Sequence, residues 1–220
     1  MSFLGGGELG GGIFEAVAGA QIHFAGGDFR ATGLVDWRGP GDVALTGGAL
    51  QLVNTTGALL MRGGYIFGPS VLQGTLHWQG GGLSSLGSLT VAAGGVVNLG
   101  GAGGGRDITG ALTNRGVFRW LDGGLGLYYQ ALNPNMQGGI WNEPGGVIDI
   151  QCDQSLASFP GLVGPLHNAG LLRKSGTAGT TYLQATLDNN GAIEARMGIL
   201  SFVADNSNSV SGSLAVSGAF

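Results

Sequence analysis

One short pattern returns along the chain and constrains its fold more than any other feature of the sequence. The pattern is an aliphatic residue, any residue, Asn, one to three residues, Gly and then apolar residues at alternate positions. Because Asn tolerates the left-handed backbone region and Gly enters it without steric cost, each step from Asn to Gly predicts a tight corner. The predicted corner residues are Asn54, Gly57, Asn114, Gly116, Asn142, Gly145, Asn168, Gly170, Asn189 and Gly191.

The residues on either side of each corner predict β-strands. Alternation of apolar and polar residues with a period of two is typical of a strand with one buried face. Each unit is therefore expected to form a strand, a tight corner, a second strand and a looser Gly-rich return, with strands of about three to five residues. The clearest Asn positions, from Asn114 to Asn189, are separated by 28, 26 and 21 residues.

A unit of this length cannot bury its apolar face alone, but a stack of units can. The predicted fold is all-β, a single-stranded parallel β-helix (β-solenoid) of about nine or ten coils with strands about 4.8 Å apart. We expect one solenoid domain over residues 1–220, with 1–50 the least regular and 51–220 carrying clear repeats. Stacked Asn side chains would hydrogen-bond along one corner, as in cross-β structures. A β-sandwich or barrel of short strands is the alternative.

Composition indicates an ordered, apolar architecture. The 220 residues include 48 Gly at irregular spacing and only 6 Pro, which excludes collagen. Hydrophobic residues make up 43% of the chain, which excludes a flexible Gly-rich linker. Each interior Gly costs a helix about 1 kcal/mol relative to Ala, so the Gly content disfavours a helical protein.

Net charge and cysteine content exclude further classes. The formal net charge is −4 and the basic residues are scattered, so no nucleic-acid partner is expected. Cys152 is the one cysteine, which excludes an internal disulfide and a cysteine metal cluster. Residues 1–20 do not resemble a secretory signal, and no apolar run approaches the roughly 20 residues of a membrane span. The chain is therefore expected to be intracellular, or to have a targeting segment outside this sequence.

Two stretches resemble repeats of a known class. The stretch from Gly74 to Leu99 contains, in order, Gly-Thr, Trp, Gly-Gly, Gly-Ser-Leu-Thr and Ala-Ala-Gly elements. The stretch from Leu166 to Phe202 contains Asn-x-Gly, Lys-x-Gly, Asn-x-Gly and Gly-x-Leu-Ser runs. Both resemble the Gly/Asn-rich parallel β-helix repeats of bacterial cell-surface proteins of the autotransporter and adhesin type, over most of residues 74–218. The resemblance implies a right-handed β-helix and an extracellular or bacterial cell-surface location.

Candidate catalytic residues are few. Asp149, Asp153 and His167 are the weak candidates for acid–base chemistry, with Arg173 one coil away. Both carboxylates point outward from one strand, but they lie roughly 13 Å apart at about 3.3 Å per residue, which exceeds the separation in glycosidases. The sequence therefore favours a protein that is not an enzyme.

The sequence predicts neither a metal site nor a cofactor, because His23, His77 and His167 are widely separated along the chain. Aromatic residues offer a different chemistry, since their faces pack on the apolar faces of sugars. Trp141 lies on the outward phase between Ile140 and Asn142, and it is the first candidate for glycan stacking. Tyr128 is the second.

These features predict a structural or adhesive β-helix module of a bacterial cell-surface or extracellular assembly. Strand edges are normally protected by Lys, Glu and Pro, which are scarce here, so self-association end to end or side by side is expected. A surface glycan or protein is the other expected partner. The alternatives are a carbohydrate-active β-helix enzyme of lyase or hydrolase type and a glycan-binding β-helix protein.

Overall fold

Short strands account for all the regular secondary structure of the described residues. The computed structural model describes residues 1–101, 104–159, 161–203 and 208–216, and none of these residues is helical. The strands are β1 (Ser2–Phe3), β2 (Gly7–Leu9), β3 (Gly12–Glu15), β4 (Gln21–Phe24), β5 (Asp28–Ala31), β6 (Val35–Arg38), β7 (Asp42–Leu45), β8 (Ala49–Leu50), β9 (Thr56–Met61), β10 (Tyr65–Leu72), β11 (Thr75–Trp78), β12 (Gly81–Val91), β13 (Val96–Leu99), β14 (Arg106–Ile108), β15 (Ala111–Asn114), β16 (Val117–Trp120), β17 (Leu125–Leu127), β18 (Gly139–Asn142), β19 (Val147–Ile150), β20 (Leu156–Ala157), β21 (Pro165–Asn168), β22 (Leu171–Lys174), β23 (Thr180–Leu183), β24 (Thr186–Asn189), β25 (Ala192–Ala195), β26 (Ile199–Phe202), β27 (Ser209–Val210) and β28 (Ser213–Val216).

A typical turn of the chain contributes three strands, one to each of three faces. The first face is a continuous ladder of β1, β4, β7, β9, β11, β13, β16, β19, β22, β25 and β28. The second face contains β14, β17, β20, β23 and β26, and the third contains β15, β18, β21, β24 and β27. The second and third faces belong to one sheet because the long strands β10 and β12 run from one face into the other.

Pairing between strands is parallel throughout the described part of the chain. The protein is a parallel β-solenoid of about 10 turns, which confirms the predicted fold class. Parallel stacking of successive turns excludes the β-sandwich alternative, which would require antiparallel sheets. The right-handedness implied by the resemblance stays a prediction.

The underlying turn is 21 residues long. Equivalent positions on the first face are separated by this length at Trp78, Leu99 and Trp120, and again at Phe3, Phe24 and Leu45. The first fifty residues therefore follow the same turns, although they lack the Asn-to-Gly pattern. The turn from Trp120 to Ile150 is longer because residues 128–138 leave the solenoid between β17 and β18. This excursion explains the uneven spacing of the Asn residues.

Inward side chains stack in columns and form one hydrophobic core. A fully buried column on the first face consists of Phe24, Leu45, Met61, Trp78 and Leu99. In the first turns the core is aromatic, with the ring centroids of Phe14 and Trp37 5.1 Å apart. Burial of each large apolar side chain stabilises the fold by about 1.5–3 kcal/mol, so the columns hold the turns together.

A ladder of buried Asn side chains lies at the corner between the third and first faces. The Nδ2 atom of Asn114 donates to Oδ1 of Asn142 at 2.8 Å, Asn142 donates to Asn168 at 2.7 Å, and Asn168 donates to Asn189 at 2.6 Å. Each Nδ2 also donates to a main-chain carbonyl of the next turn, as from Asn114 to Val147 at 3.1 Å. The ladder therefore satisfies amides that burial would otherwise leave without partners.

Glycine follows each Asn of the ladder because the corner leaves no room for a side chain. A Cβ atom at Gly116, Gly170 or Gly191 would overlap the carbonyl oxygen of the turn before it. In the turn after Asn142 this crowded position is Gly146, whose Cβ would lie 2.6 Å from Oδ1 of Asn142. Gly145 has open space around its Cβ position and a φ of 86°, as expected for the third residue of a type II turn.

The first predicted corner differs from the others. Asn54 has a φ of 45° and is exposed, and it accepts a hydrogen bond from Gln73 at 3.5 Å. The ladder position in this turn is taken by its neighbour Thr55, which bridges to Leu72. Gly57 still occupies a crowded position, where a Cβ would overlap the carbonyl oxygen of Trp37.

Replacing Asn114 by Ala should destabilise the solenoid by about 1–3 kcal/mol, because Oδ1 of Asn142 loses its donor in a buried site. Urea unfolding followed by circular dichroism measures the change. Asn98→Ala is the matched control, since Asn98 lies on the outside of the first face and accepts only a 3.5 Å hydrogen bond from Arg119. Equal losses in the two variants would show that the ladder contributes nothing specific.

Candidate functional site

Three polar or aromatic side chains line up on the outer surface of the third face. Trp141 in β18, His167 in β21 and Asp188 in β24 occupy the same register position on successive strands. The rings of Trp141 and His167 are nearly parallel, at 18°, with centroids 5.7 Å apart. Nδ1 of His167 lies 3.1 Å from Oδ2 of Asp188. Each of the three residues directly precedes an Asn of the buried ladder, which holds its backbone in place.

These side chains form one wall of a groove of about 170 Å³ at the corner of the solenoid. The rest of the groove is lined by Glu143, Ala169 and Asn190, with the edges of the Asn ladder below. Its charges are the carboxylates of Glu143 and Asp188, and no Lys or Arg is among the lining residues. We name this surface the corner groove. It combines an aromatic wall with acceptors for hydroxyl groups.

Asp149, the first catalytic candidate, lies on the first face in a satisfied ion pair. Its side chain is only 5% exposed and accepts two hydrogen bonds from Arg173, at 2.9 and 3.0 Å. Ser175 and Gln151 donate to the same carboxylate at 2.6 and 2.8 Å. Burial opposes ionisation, but these donors outweigh it and hold the pKa of Asp149 at about 2. The carboxylate is therefore engaged in structure.

Asp153, the second candidate, binds a lysine inside the solenoid. Lys174 is fully buried, and its Nζ atom donates to Oδ1 of Asp153 at 2.7 Å and to the carbonyl oxygen of Cys152 at 2.8 Å. Two hydroxyls complete the shell, from Thr177 at 2.9 Å and Thr181 at 3.1 Å. Hydrogen bonds from Lys174 and Thr177 lower the pKa of Asp153. The cluster closes the polar corner after β19.

The structure does not bring the catalytic candidates together. Asp149 lies on the first face and His167 on the third, where its partner is Asp188. Cys152 is inward and free, and burial raises the pKa of its thiol. Sequence reasoning missed the buried Lys174, although the alternation of β22 signals it, because Lys174 shares the inward phase of Leu172.

Tyr128, the second glycan candidate, lies away from Trp141. It begins the excursion of residues 128–138 and forms an antiparallel bridge to Val163 in the next turn. Its ring stacks on Phe159, with centroids 5.5 Å apart and planes at 12°. The two glycan candidates therefore belong to two separate surfaces.

Searches for metal clusters and membrane-spanning helices found neither in the described residues. Across residues 1–101, 104–159, 161–203 and 208–216, no group of three or more His, Cys, Asp and Glu side chains is arranged to hold a metal ion. His23 and His77 lie in β4 and β11 of the first face, apart from His167. The same ranges contain no helix that is long and apolar enough to cross a bilayer.

The Asp149 ion pair should make stability fall at low pH. Its folded pKa of about 2 lies below the unfolded value of about 3.9, so its contribution is complete above about pH 4 and is lost as the pH falls toward 2. The loss is about 2–3 kcal/mol, measured as the difference between urea unfolding at about pH 5 and about pH 2.5.

Asp149→Asn should lack this part of the acid dependence. Asp42→Asn is the matched control, because the Asp42–Arg62 pair is exposed, with side-chain exposures of 41% and 40%. If the Asp149 and Asp42 variants lost stability in parallel with the wild type, the pKa of Asp149 would not be depressed.

Comparison with known proteins adds no relative. No protein-family model, curated protein or solved structure matches the chain. What is shown is therefore the fold, a parallel β-solenoid repeat, and the resemblance to autotransporter and adhesin repeats stays a prediction.

Proposed function

We propose that this protein is an adhesive β-solenoid module that binds a neutral glycan in the corner groove. The observation that carries the proposal is the parallel pair of Trp141 and His167 beside two carboxylates on a rigid strand ladder. The resemblance of the repeats supports a bacterial cell-surface or extracellular setting. In that setting, a stiff solenoid would hold the groove away from its point of attachment.

The chemistry of the groove suits a sugar ring. The faces of aromatic rings are electron-rich and attract the weakly positive C–H groups on the apolar face of a pyranose. Glu143 and Asp188 supply acceptors for hydroxyl groups, and the amide of Asn190 supplies both a donor and an acceptor. Among the described residues, neither Glu143 nor Asn190 uses its side chain in a hydrogen bond or ion pair.

The charge of the groove selects among glycans. Its two carboxylates would repel uronic acids, sialic acids and sulfated sugars, and its lining contains no Lys or Arg to attract them. Neutral hexoses therefore fit the groove better than acidic polysaccharides. Strands also hold the binding residues more rigidly than loops would, which limits the entropy lost on binding.

Trp141→Ala should weaken binding of a neutral oligosaccharide at least tenfold, because buried Trp contacts at interfaces commonly contribute about 2 kcal/mol. A panel of neutral and acidic glycans identifies the ligand by quenching of tryptophan fluorescence, and isothermal titration calorimetry then gives the affinity. Asp188→Asn should also weaken binding, since it removes one acceptor oxygen.

Tyr182→Ala is the matched control, since Tyr182 is an exposed aromatic residue in β23 on the second face. Its affinity should equal that of the wild type. The proposal fails if no neutral glycan binds saturably, or if Trp141→Ala and Tyr182→Ala bind equally well. Thermal melting of each variant verifies that it is folded.

We infer a second function, end-to-end association of copies of this chain. In β28, Leu214 and Val216 are 67% and 74% exposed, whereas the in-register Ile193 of the preceding turn is 5% exposed. The strands β26, β27 and β28 contain no charged residue to protect their open edge. At the other end, Leu4 and Ile13 are exposed in the first turn. Joining these unlike ends makes a heterologous contact that propagates into filaments.

Leu214→Lys should abolish this association, because it places a charge in the column that the next copy would continue. Sedimentation velocity over a range of concentrations measures the growth of oligomers, and negative-stain microscopy shows whether they are rods. Leu132→Lys is the control, since Leu132 is 97% exposed in the excursion and away from both ends. A wild-type chain that stays monomeric at all concentrations would overturn the inference.

A further inference from the structure

A second cavity, of about 390 Å³, opens on the second face of the solenoid. Six of its lining residues are glycines, drawn from the segments before β14 and around β17, so its walls are largely backbone. The side chains that project toward it are those of Asp107 in β14 and Tyr128 at the end of β17. We name this space the Asp107 cavity. It lies on a different face from the corner groove.

The carboxylate of Asp107 has no partner on the protein. Within the described residues, no hydrogen bond or salt bridge reaches its side chain, and it is half-buried. Arg106 is adjacent, but its side chain turns inward and donates to the carbonyl oxygens of Trp78 at 3.3 Å and Gly101 at 2.7 Å. Burial raises the pKa of Asp107. A desolvated carboxylate without a compensating donor destabilises the fold, so its retention points to a ligand.

Two oxygen atoms converge at one point of the cavity, above Gly126. A Cβ atom at Gly126 would lie 2.6 Å from Oδ1 of Asp107 and 2.6 Å from the hydroxyl oxygen of Tyr128. A charged N–H donor binds acceptor oxygens at about 2.7–2.9 Å, so a nitrogen slightly farther out than this Cβ position would contact both. The absence of a side chain at Gly126 therefore leaves a cradle with two acceptors.

The position of the tyrosine hydroxyl is fixed from outside the cavity. The ring of Tyr128 stacks on Phe159, and its backbone amide neighbour Tyr129 donates to the carbonyl oxygen of Leu162 at 2.9 Å. The two excursions of adjacent turns thus hold the ring over Gly126. The nearby negative charge of Asp107 adds to burial in raising the pKa of Tyr128, so the hydroxyl stays protonated and keeps lone pairs free to accept.

We propose that the Asp107 cavity binds an organic ammonium group, with the Asp107 carboxylate and the Tyr128 hydroxyl accepting its N–H bonds above Gly126. A positive charge restores the solvation that burial removes from the carboxylate, and an aromatic ring beside it adds favourable electrostatics. The third N–H bond can be satisfied by a main-chain carbonyl of the glycine walls. A protonated amine on a sugar, a peptide or a small metabolite presents this same chemistry.

The probe is butylammonium chloride, with 1-butanol as its uncharged analogue of equal size and sodium chloride as the control for ionic strength. NMR chemical shifts of the Gly126 amide, recorded during titration, give the affinity. Butylammonium should bind saturably to the wild-type protein, while 1-butanol and sodium chloride produce no saturable shift. Equal binding of 1-butanol would overturn the proposal.

The variants separate a binding role from a structural one. Asp107→Asn should weaken butylammonium binding at least tenfold while raising the melting temperature near neutral pH, because it removes an unpaired, half-buried charge. Tyr128→Phe should weaken binding less, and Gly126→Ala should abolish it by filling the cradle. Asp188→Asn, a carboxylate variant of the corner groove, should bind like the wild type. Unchanged affinity in a folded Asp107→Asn variant would overturn the proposal.

Discussion

The corner between the third and first faces is the constraint on which the rest of the solenoid depends. At this point the chain must reverse toward the next face while each turn lies directly on the one before. The Asn ladder supplies hydrogen bonds along the stack, and the glycines beside it allow the carbonyl oxygen of one turn to approach the backbone of the next. Because both devices act between turns, they set the register of every strand that follows.

Charged groups are few, and most of them are paired across turns. On the outside of the first face, Arg119, Asp149, Arg173 and Glu194 occupy one column and alternate in sign. Inside, Lys174 is surrounded by oxygen atoms that satisfy its ammonium group. Against this background the unpaired Asp107 is an exception to how the chain treats its charges. Buried polar groups without partners are costly, so such an exception indicates a role other than stability.

Sequence reasoning reached the fold but not the grouping of the sites. The alternation and the recurring Asn indicated stacked parallel strands, because both depend on local spacing within one turn. The register within the first fifty residues escaped it, since Phe14 and Trp37 pack there in place of an Asn corner. His167 was grouped with Asp149 because the two are near in sequence, whereas three residues on successive strands of the third face meet instead.

Periodicity and turn chemistry act within about 21 residues, so the sequence by itself determined the strand content, the corner residues and the parallel stack. It also indicated that Trp141 points outward. Which residues meet across turns was decided only by the tertiary structure, because excursions such as residues 128–138 change the length of individual turns. The pairs Trp141–His167 and Asp107–Tyr128 join residues from different turns, and their contacts depend on that register. Both proposed binding sites therefore arise from stacking, which no single repeat contains.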